Sequence, residues 1–165
     1  MRSVGTALLS SRSGIPLTRA GWRGSALSKK VAGAAFLGLM QIMPGTLSHL
    51  APKVGVTSPW LVKDNIQAGI YYDARMWAIW KVPRPQEERI AFTLASYNAG
   101  AGNILKAQRL VAGGEKTSQW VSVAARLHSV TGRSSAQTCG YVIRIQHLHE
   151  CMLGHFRAAR AGAIS

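Results

Sequence analysis

The sequence is poor in acid. Six Asp and Glu stand against twenty Lys and Arg in 165 residues, a formal net charge of +14. All six, Asp64, Asp73, Glu87, Glu88, Glu115 and Glu150, lie after residue 63. The first third of the chain therefore cannot supply a catalytic carboxylate, and the positive excess makes a polyanion or anionic surface a natural neighbour without specifying a reaction. Cysteine is also scarce: Cys139 and Cys151 are too few for a disulfide scaffold or a structural zinc site. On one continuous helix their spacing amounts to a rise of about 18 Å, beyond disulfide reach, so both are expected to be buried thiols. No apolar run reaches the roughly 20 residues that span a bilayer. The start, Met1 to Gly14, holds Arg2 and an apolar patch at Val4–Leu9 that is shorter than a signal core, so no convincing signal peptide is present. There is no internal repeat and no sustained alternating strand pattern. His147 and His149 are two apart and point to different faces of a helix, and no His/carboxylate cluster has ligand spacing, so neither metal nor cofactor is expected.

What remains is a chain that is 47% apolar, with 17 Gly and 6 Pro, in the range of a single folded domain. Residues 1–30 form a basic Ser/Gly/Arg-rich lead-in, residues 31–157 the folded domain, and 158–165 a tail. The expected fold is all-α, with six or seven helices. Pro44-Gly45 is expected to halt any helix, with Thr46 capping a short one through Leu50. Ser58-Pro59 would open a long helix through Trp80 whose buried face carries Ile66, Ile70, Ala74 and Trp77. Pro83 and Pro85 end it, and Glu87-Glu88 suit the first turn of the next, with Ile90, Leu94 and Tyr97 buried. Gly100 and Gly102 form a turn before a short helix, Ile104 to Val111. Ser118 can cap a helix bearing Trp120, Val121, Ala124 and Leu127. Ser134-x-x-Gln137 has capping-box spacing ahead of a helix with Val142, Ile145, His149 and Met152 on one face.

Three segments carry chemistry. In Gly38-Leu39-Met40-Gln41-Ile42-Met43-Pro44, Gln41 is the one hydrogen-bonding side chain in an apolar stretch, either paired to backbone or orienting a substrate. Ala95-Ser96-Tyr97-Asn98-Ala99-Gly100-Ala101-Gly102 combines small residues with the polar tips of Tyr97 and Asn98. Gln137-Thr138-Cys139-Gly140-Tyr141 places Tyr141 in the first turns of the last helix; a core tyrosine is the alternative. With Asp64-Asn65-Ile66-Gln67-Ala68-Gly69-Ile70-Tyr71-Tyr72, these segments resemble lytic transglycosylases of the soluble (SLT), goose-type-lysozyme-like catalytic domain, over about Ala32 to Met152. The resemblance implies a lysozyme-like helical fold whose groove binds peptidoglycan glycan strands. It also implies cleavage of the MurNAc–GlcNAc β-1,4 bond to a 1,6-anhydro product. By motif match, Gln41, Tyr97, Asn98 and Tyr141 would bind acetamido and hydroxyl groups, and Met40 would supply apolar wall.

That reaction needs a carboxylic acid held protonated near neutral pH, which protonates the leaving oxygen and later takes back the proton of the sugar's own primary hydroxyl. The resemblance places such a glutamate, followed by serine, at Arg19-Ala20. A guanidinium keeps its proton throughout the accessible range and cannot do this work. Three explanations stay open: an inactive relative that still binds glycan, an aberrant or truncated N-terminus, or another acid in its place. Glu87 and Glu88 are expected at a solvated helix start, and Asp64 and Asp73 as caps or solvent-facing groups.

The function expected from the sequence is thus a peptidoglycan lytic transglycosylase domain lacking its catalytic Glu, facing the cell wall or periplasm or delivered by phage, and monomeric. A non-catalytic peptidoglycan-binding module is the alternative. A basic helical nucleic-acid binder comes third, since positive charge is scattered and no nucleic-acid motif appears.

Overall fold

The computed structural model describes residues 36–112 and 115–162. The lead-in of residues 1–30, and with it Arg19 and Ala20, lies outside the described residues. The expected all-α class is found: six α-helices and one short 3₁₀ turn follow one another, and the sole extended pairing among the described residues is an isolated bridge between Leu37 and Ile42. The chain divides after Tyr71 into two compact units.

In the first unit, Leu37 and Ile42 exchange backbone hydrogen bonds of 2.9 and 3.2 Å and close a tight hairpin around Gly38-Leu39-Met40-Gln41. Helix α1 (Pro44–Val54) follows at once. Pro44 opens this helix where the sequence suggested a stop. Proline lacks an N–H, but the first helical position needs none, so Met43 serves as N-cap and Thr46 already lies inside. Gly55, at φ 69°, ends the helix in the left-handed conformation, its N–H donating to Ala51 O. A turn over residues 58–61 leads into α2 (Val62–Ile79). Ser58-Pro59 thus belongs to the turn, and Asp64 ties it down. Its carboxylate accepts from Thr57 N–H (2.7 Å), Thr57 Oγ1 (2.7 Å) and Ser58 N–H (3.1 Å). Leu37, Ile42, Leu47, Ala51, Val56 and Ala68 form the apolar core of this unit.

The buried face of α2 is not the expected one. Ile70 is 62% exposed and Ala74 is exposed, whereas Asn65, Ala68, Gly69 and Met76 are buried. The helix turns its small and amide-bearing side toward the protein, because that side admits close backbone approach.

The second unit begins within α2 and contains α3 (Gln86–Ala99), α4 (Ala101–Arg109), the 3₁₀ turn Glu115–Ser118, α5 (Trp120–Thr131) and α6 (Ser134–Gly162). In α3 the buried set is Ala91, Phe92, Thr93, Ala95 and Ser96, with Ile90, Leu94 and Tyr97 only half-buried, again a rotation away from the large apolar stripe. Gly100, at φ 83°, makes the corner into α4, which starts at Ala101 rather than Ile104. An aromatic core joins the helices: Trp80 and Phe92 ring centroids are 4.8 Å apart, and Phe92 meets Trp120 edge-on at 5.8 Å. Trp80 Nε1 donates to Ser96 Oγ at 3.0 Å, so the buried indole keeps its polar handle paired. Arg84 lies 4.3 Å from the Phe92 ring centroid, a cation–π contact over the same cluster. Glu88 reaches from the first turn of α3 to accept the N–H of Trp120, the first residue of α5. That orphan amide is thereby satisfied by a side chain of another helix, since Gln119, not Ser118, is the N-cap and makes no side-chain cap.

Both cysteines fall on α6, as the spacing argument assumed, but neither is fully buried: Cys139 is half-buried and Cys151 exposed. The expected face of α6 holds only in part, for Val142 is buried while His149 and Met152 are exposed. Among the described residues no helix is long and apolar enough to cross a membrane.

Candidate functional site

The residues singled out by motif occur in two places, one in each unit. In the first unit the hairpin is pinned to α2 through one buried side chain. Asn65 Oδ1 accepts from Met40 N–H at 2.7 Å, and Asn65 Nδ2 donates to Leu37 O at 3.2 Å. The fit leaves no room for larger residues. A Cβ at Gly38 would lie 2.4 Å from Asn65 Nδ2, and one at Gly69 would lie 2.6 Å from the Met40 side chain. Met40 is thus half-buried against Gly69, while Gln41 is exposed. Gln41 has φ 51°, the one positive value among described non-glycine residues, and its Nε2 donates to Gly38 O at 2.7 Å. A left-handed non-glycine costs about 1–2 kcal/mol, a strain that surrounding contacts must hold in place.

In the second unit Tyr97 and Asn98 end α3, and Tyr141 stands two turns into α6. Asn98 Oδ1 accepts from Thr138 Oγ1 at 2.9 Å, which fastens the end of α3 to the start of α6. Tyr97 packs against Tyr72 of α2 with ring centroids 5.1 Å apart. Tyr141 and Asp73 are close enough to act electrostatically on Tyr97. Burial first, then the neighbouring Tyr141, Asp73 and Tyr72, pushes the Tyr97 phenol far above its ordinary value. Burial, and then the charge of Asp73, likewise raises Tyr141. Burial raises Tyr72 against the opposing charge of Arg75. All three phenols therefore keep their protons at neutral pH and remain hydrogen-bond donors, suited to the carbonyl and hydroxyl oxygens of an N-acetylated sugar.

Asp73 is the residue that sequence reasoning misplaced. It does not simply face solvent: it is half-buried beside the tyrosines, and burial raises its carboxyl above the ordinary 3.8. The available signal was its position directly after Tyr71-Tyr72, as the one acid between residues 65 and 86. Asn65 and Thr138, which position the hairpin and the α3 end, were also passed over as site residues, although both lie within quoted segments.

The Transglycosylase SLT domain family model matches residues 14–120, well over half of the chain. The chain belongs to this family. Among curated relatives, it is 32% identical over 120 residues to membrane-bound lytic murein transglycosylase F of Vibrio vulnificus, covering 64% of this chain and 22% of that protein. It is 38% identical over 93 residues to the protein of the same name from Serratia proteamaculans, covering 54% of this chain and 18% of the relative. The chain therefore spans about a fifth of the length of the curated relatives it matches. No solved structure matches. The SLT match takes in the GLMQ hairpin and the Tyr97-Asn98 corner, and its first residue precedes the Arg19 window.

Proposed function

We propose that this SLT domain binds the glycan strands of peptidoglycan through Met40, Gln41, Tyr97, Asn98 and Tyr141, and that it cleaves the MurNAc–GlcNAc bond only slowly as encoded. The folded unit that does this is residues 31–157, working as a monomer on the cell-wall side of the membrane or delivered there by phage. The observation that carries the reading is the group of proton-retaining phenols around Tyr97, in a chain whose family is SLT. Such a group offers several donors on an aromatic surface, which is what a neutral N-acetylated sugar face requires.

In the full reaction an acid protonates the glycosidic oxygen, the anomeric carbon becomes cationic, and the sugar's own primary hydroxyl closes the 1,6-anhydro ring, returning a proton to the same group. No metal or cofactor enters this scheme. The family glutamate is expected at position 19, where Arg19 stands, and the family match running through this window supports that register. Arginine there leaves binding intact and removes the efficient proton donor.

The test is to incubate the chain with purified sacculi, measure what sediments with them, and analyse the soluble products by mass spectrometry. Strong co-sedimentation with scant anhydro-muropeptide is expected for the chain as encoded, and a marked rise in product for Arg19→Glu with Ala20→Ser. Absence of binding would refute the glycan-site reading. Binding with no product in any variant would favour the second reading, a non-catalytic module, for which the loss of the glutamate is the specific support.

A further inference from the structure

The fate of the acids in the described structure is uneven. Asp64 spends its carboxylate on Thr57 and Ser58. Glu88 caps α5 through Trp120. Glu87 and Glu150 are exposed on helix surfaces. Asp73 alone is half-buried without a hydrogen-bond partner among the described residues, and it lies among tyrosines assigned to glycan binding. It follows Tyr72, whose ring is 5.1 Å from that of Tyr97, and its charge acts on Tyr97 of α3 and Tyr141 of α6. A carboxyl group that no donor claims, half withdrawn from water beside three phenols, is in the surroundings that a general acid needs.

We infer that Asp73 is the proton-transferring residue of this chain, standing in for the glutamate absent at position 19. The inference rests on the glycan-binding reading above. The Asp73 carboxyl gives its proton to the glycosidic oxygen. The bond from the anomeric carbon to that oxygen breaks, and its electron pair stays with the leaving GlcNAc. The primary hydroxyl oxygen of the MurNAc residue then bonds to the anomeric carbon, and the hydroxyl proton passes to the Asp73 carboxylate. The acid is regenerated and no water is consumed. Burial keeps a larger fraction of Asp73 protonated than an exposed aspartate would hold, and Tyr97 and Tyr141, protonated throughout, add no competing base. Arg75, on the same helix, acts on Tyr72. An aspartate is one methylene shorter than glutamate and sits on another helix, which accounts for slow turnover.

The experiment uses the full chain, Asp73→Asn, and Asp73→Asn placed in the Arg19→Glu, Ala20→Ser background. Each is assayed for sacculus binding, thermal unfolding and anhydro-muropeptide release from pH 4 to 8. The expected result is slow release by the full chain that declines as pH rises, and a loss of about 100-fold or more in Asp73→Asn with binding and unfolding retained. In the glutamate background the same substitution should cost less than about fivefold, because the restored acid no longer needs Asp73. Release within about threefold of the full chain in Asp73→Asn would overturn the inference. So would binding by the full chain with no detectable product. Failure of the full chain to bind sacculi would instead refute the glycan reading itself. If Asp73→Asn unfolds, Asp73→Glu supplies the check, since a carboxylate there must keep the declining pH profile.

Discussion

The two units hold their motif residues by different means. In the first, position is fixed by shape: a hairpin of four residues, a glycine at each point of closest approach, and one buried asparagine that bonds to both sides of the turn. In the second, helix ends meet through aromatic rings, and the chemistry lies in side chains whose proton affinities are shifted by burial and by each other. The contrast shows in their carboxylates. Burial would raise Asp64, but hydrogen bonds from Thr57 and Ser58 and the charge of Lys63 prevail and hold it below its ordinary value, whereas Asp73, with no such donors, is raised. One unit uses its acid to build a turn, and the other leaves its acid available. Substitutions can break this contrast at either end.

The largest effect is expected from Gly38→Ala. A Cβ would collide with Asn65 at 2.4 Å and would also require an L-residue at φ 62°. A loss of about 2–4 kcal/mol, measured by chemical denaturation, is expected from the combined overpacking and backbone strain. Asn65→Ala comes next. It leaves the Met40 N–H and Leu37 carbonyl without their partner in a site only 1% exposed, and should cost about 2–3 kcal/mol. A milder clash would mean that the hairpin tolerates looser packing than the fit of Gly38 on Asn65 implies.

The two aspartates then sharpen the comparison through the sign of their pH dependence. Because the folded state lowers Asp64, its contribution is present above the unfolded value of about 3.8 and fades as pH falls through the lower folded value. Asp64→Asn should therefore cost about 1 kcal/mol at pH 7, on the scale of a lost helix-cap contact, and almost nothing in strong acid. Asp73 behaves in the opposite sense. Its folded value is raised, so ionisation works against the fold as pH climbs from about 3.8 through the folded value. Asp73→Asn should leave stability unchanged or slightly higher at pH 7, by less than about 1 kcal/mol. Thermal melts of both variants at pH 3 and pH 7 check the pair. Parallel behaviour would show that Asp73 is hydrated like an ordinary surface acid.

Much of the first unit was legible from sequence because glycines and an isolated Gln in an apolar string leave a strong local mark. The number of helices, their order and the glycine corner at Gly100 were legible for the same reason. The faces were not. Counting large apolar residues favours Ile70, Ala74 and Leu94, whereas close packing selected Asn65, Ala68, Gly69, Ala91 and Ala95, whose value is their small size or their amide. Pro44 shows the same limit, since the same residue stops or starts a helix depending on whether its missing N–H was needed. Asp73 escaped notice because nothing local distinguishes a carboxylate that will lie beside phenols from another helix. Its surroundings come from α3 and α6, far along the chain.

Release of anhydro-muropeptides from purified sacculi, quantified for the chain as encoded and for Arg19→Glu with Ala20→Ser, tests the central claim most directly. Tight binding, slow release by the first and a rise of at least tenfold in the second are expected from a glycan-binding SLT domain that has lost its efficient acid. Release by the chain as encoded at a rate equal to that of the glutamate variant would contradict it.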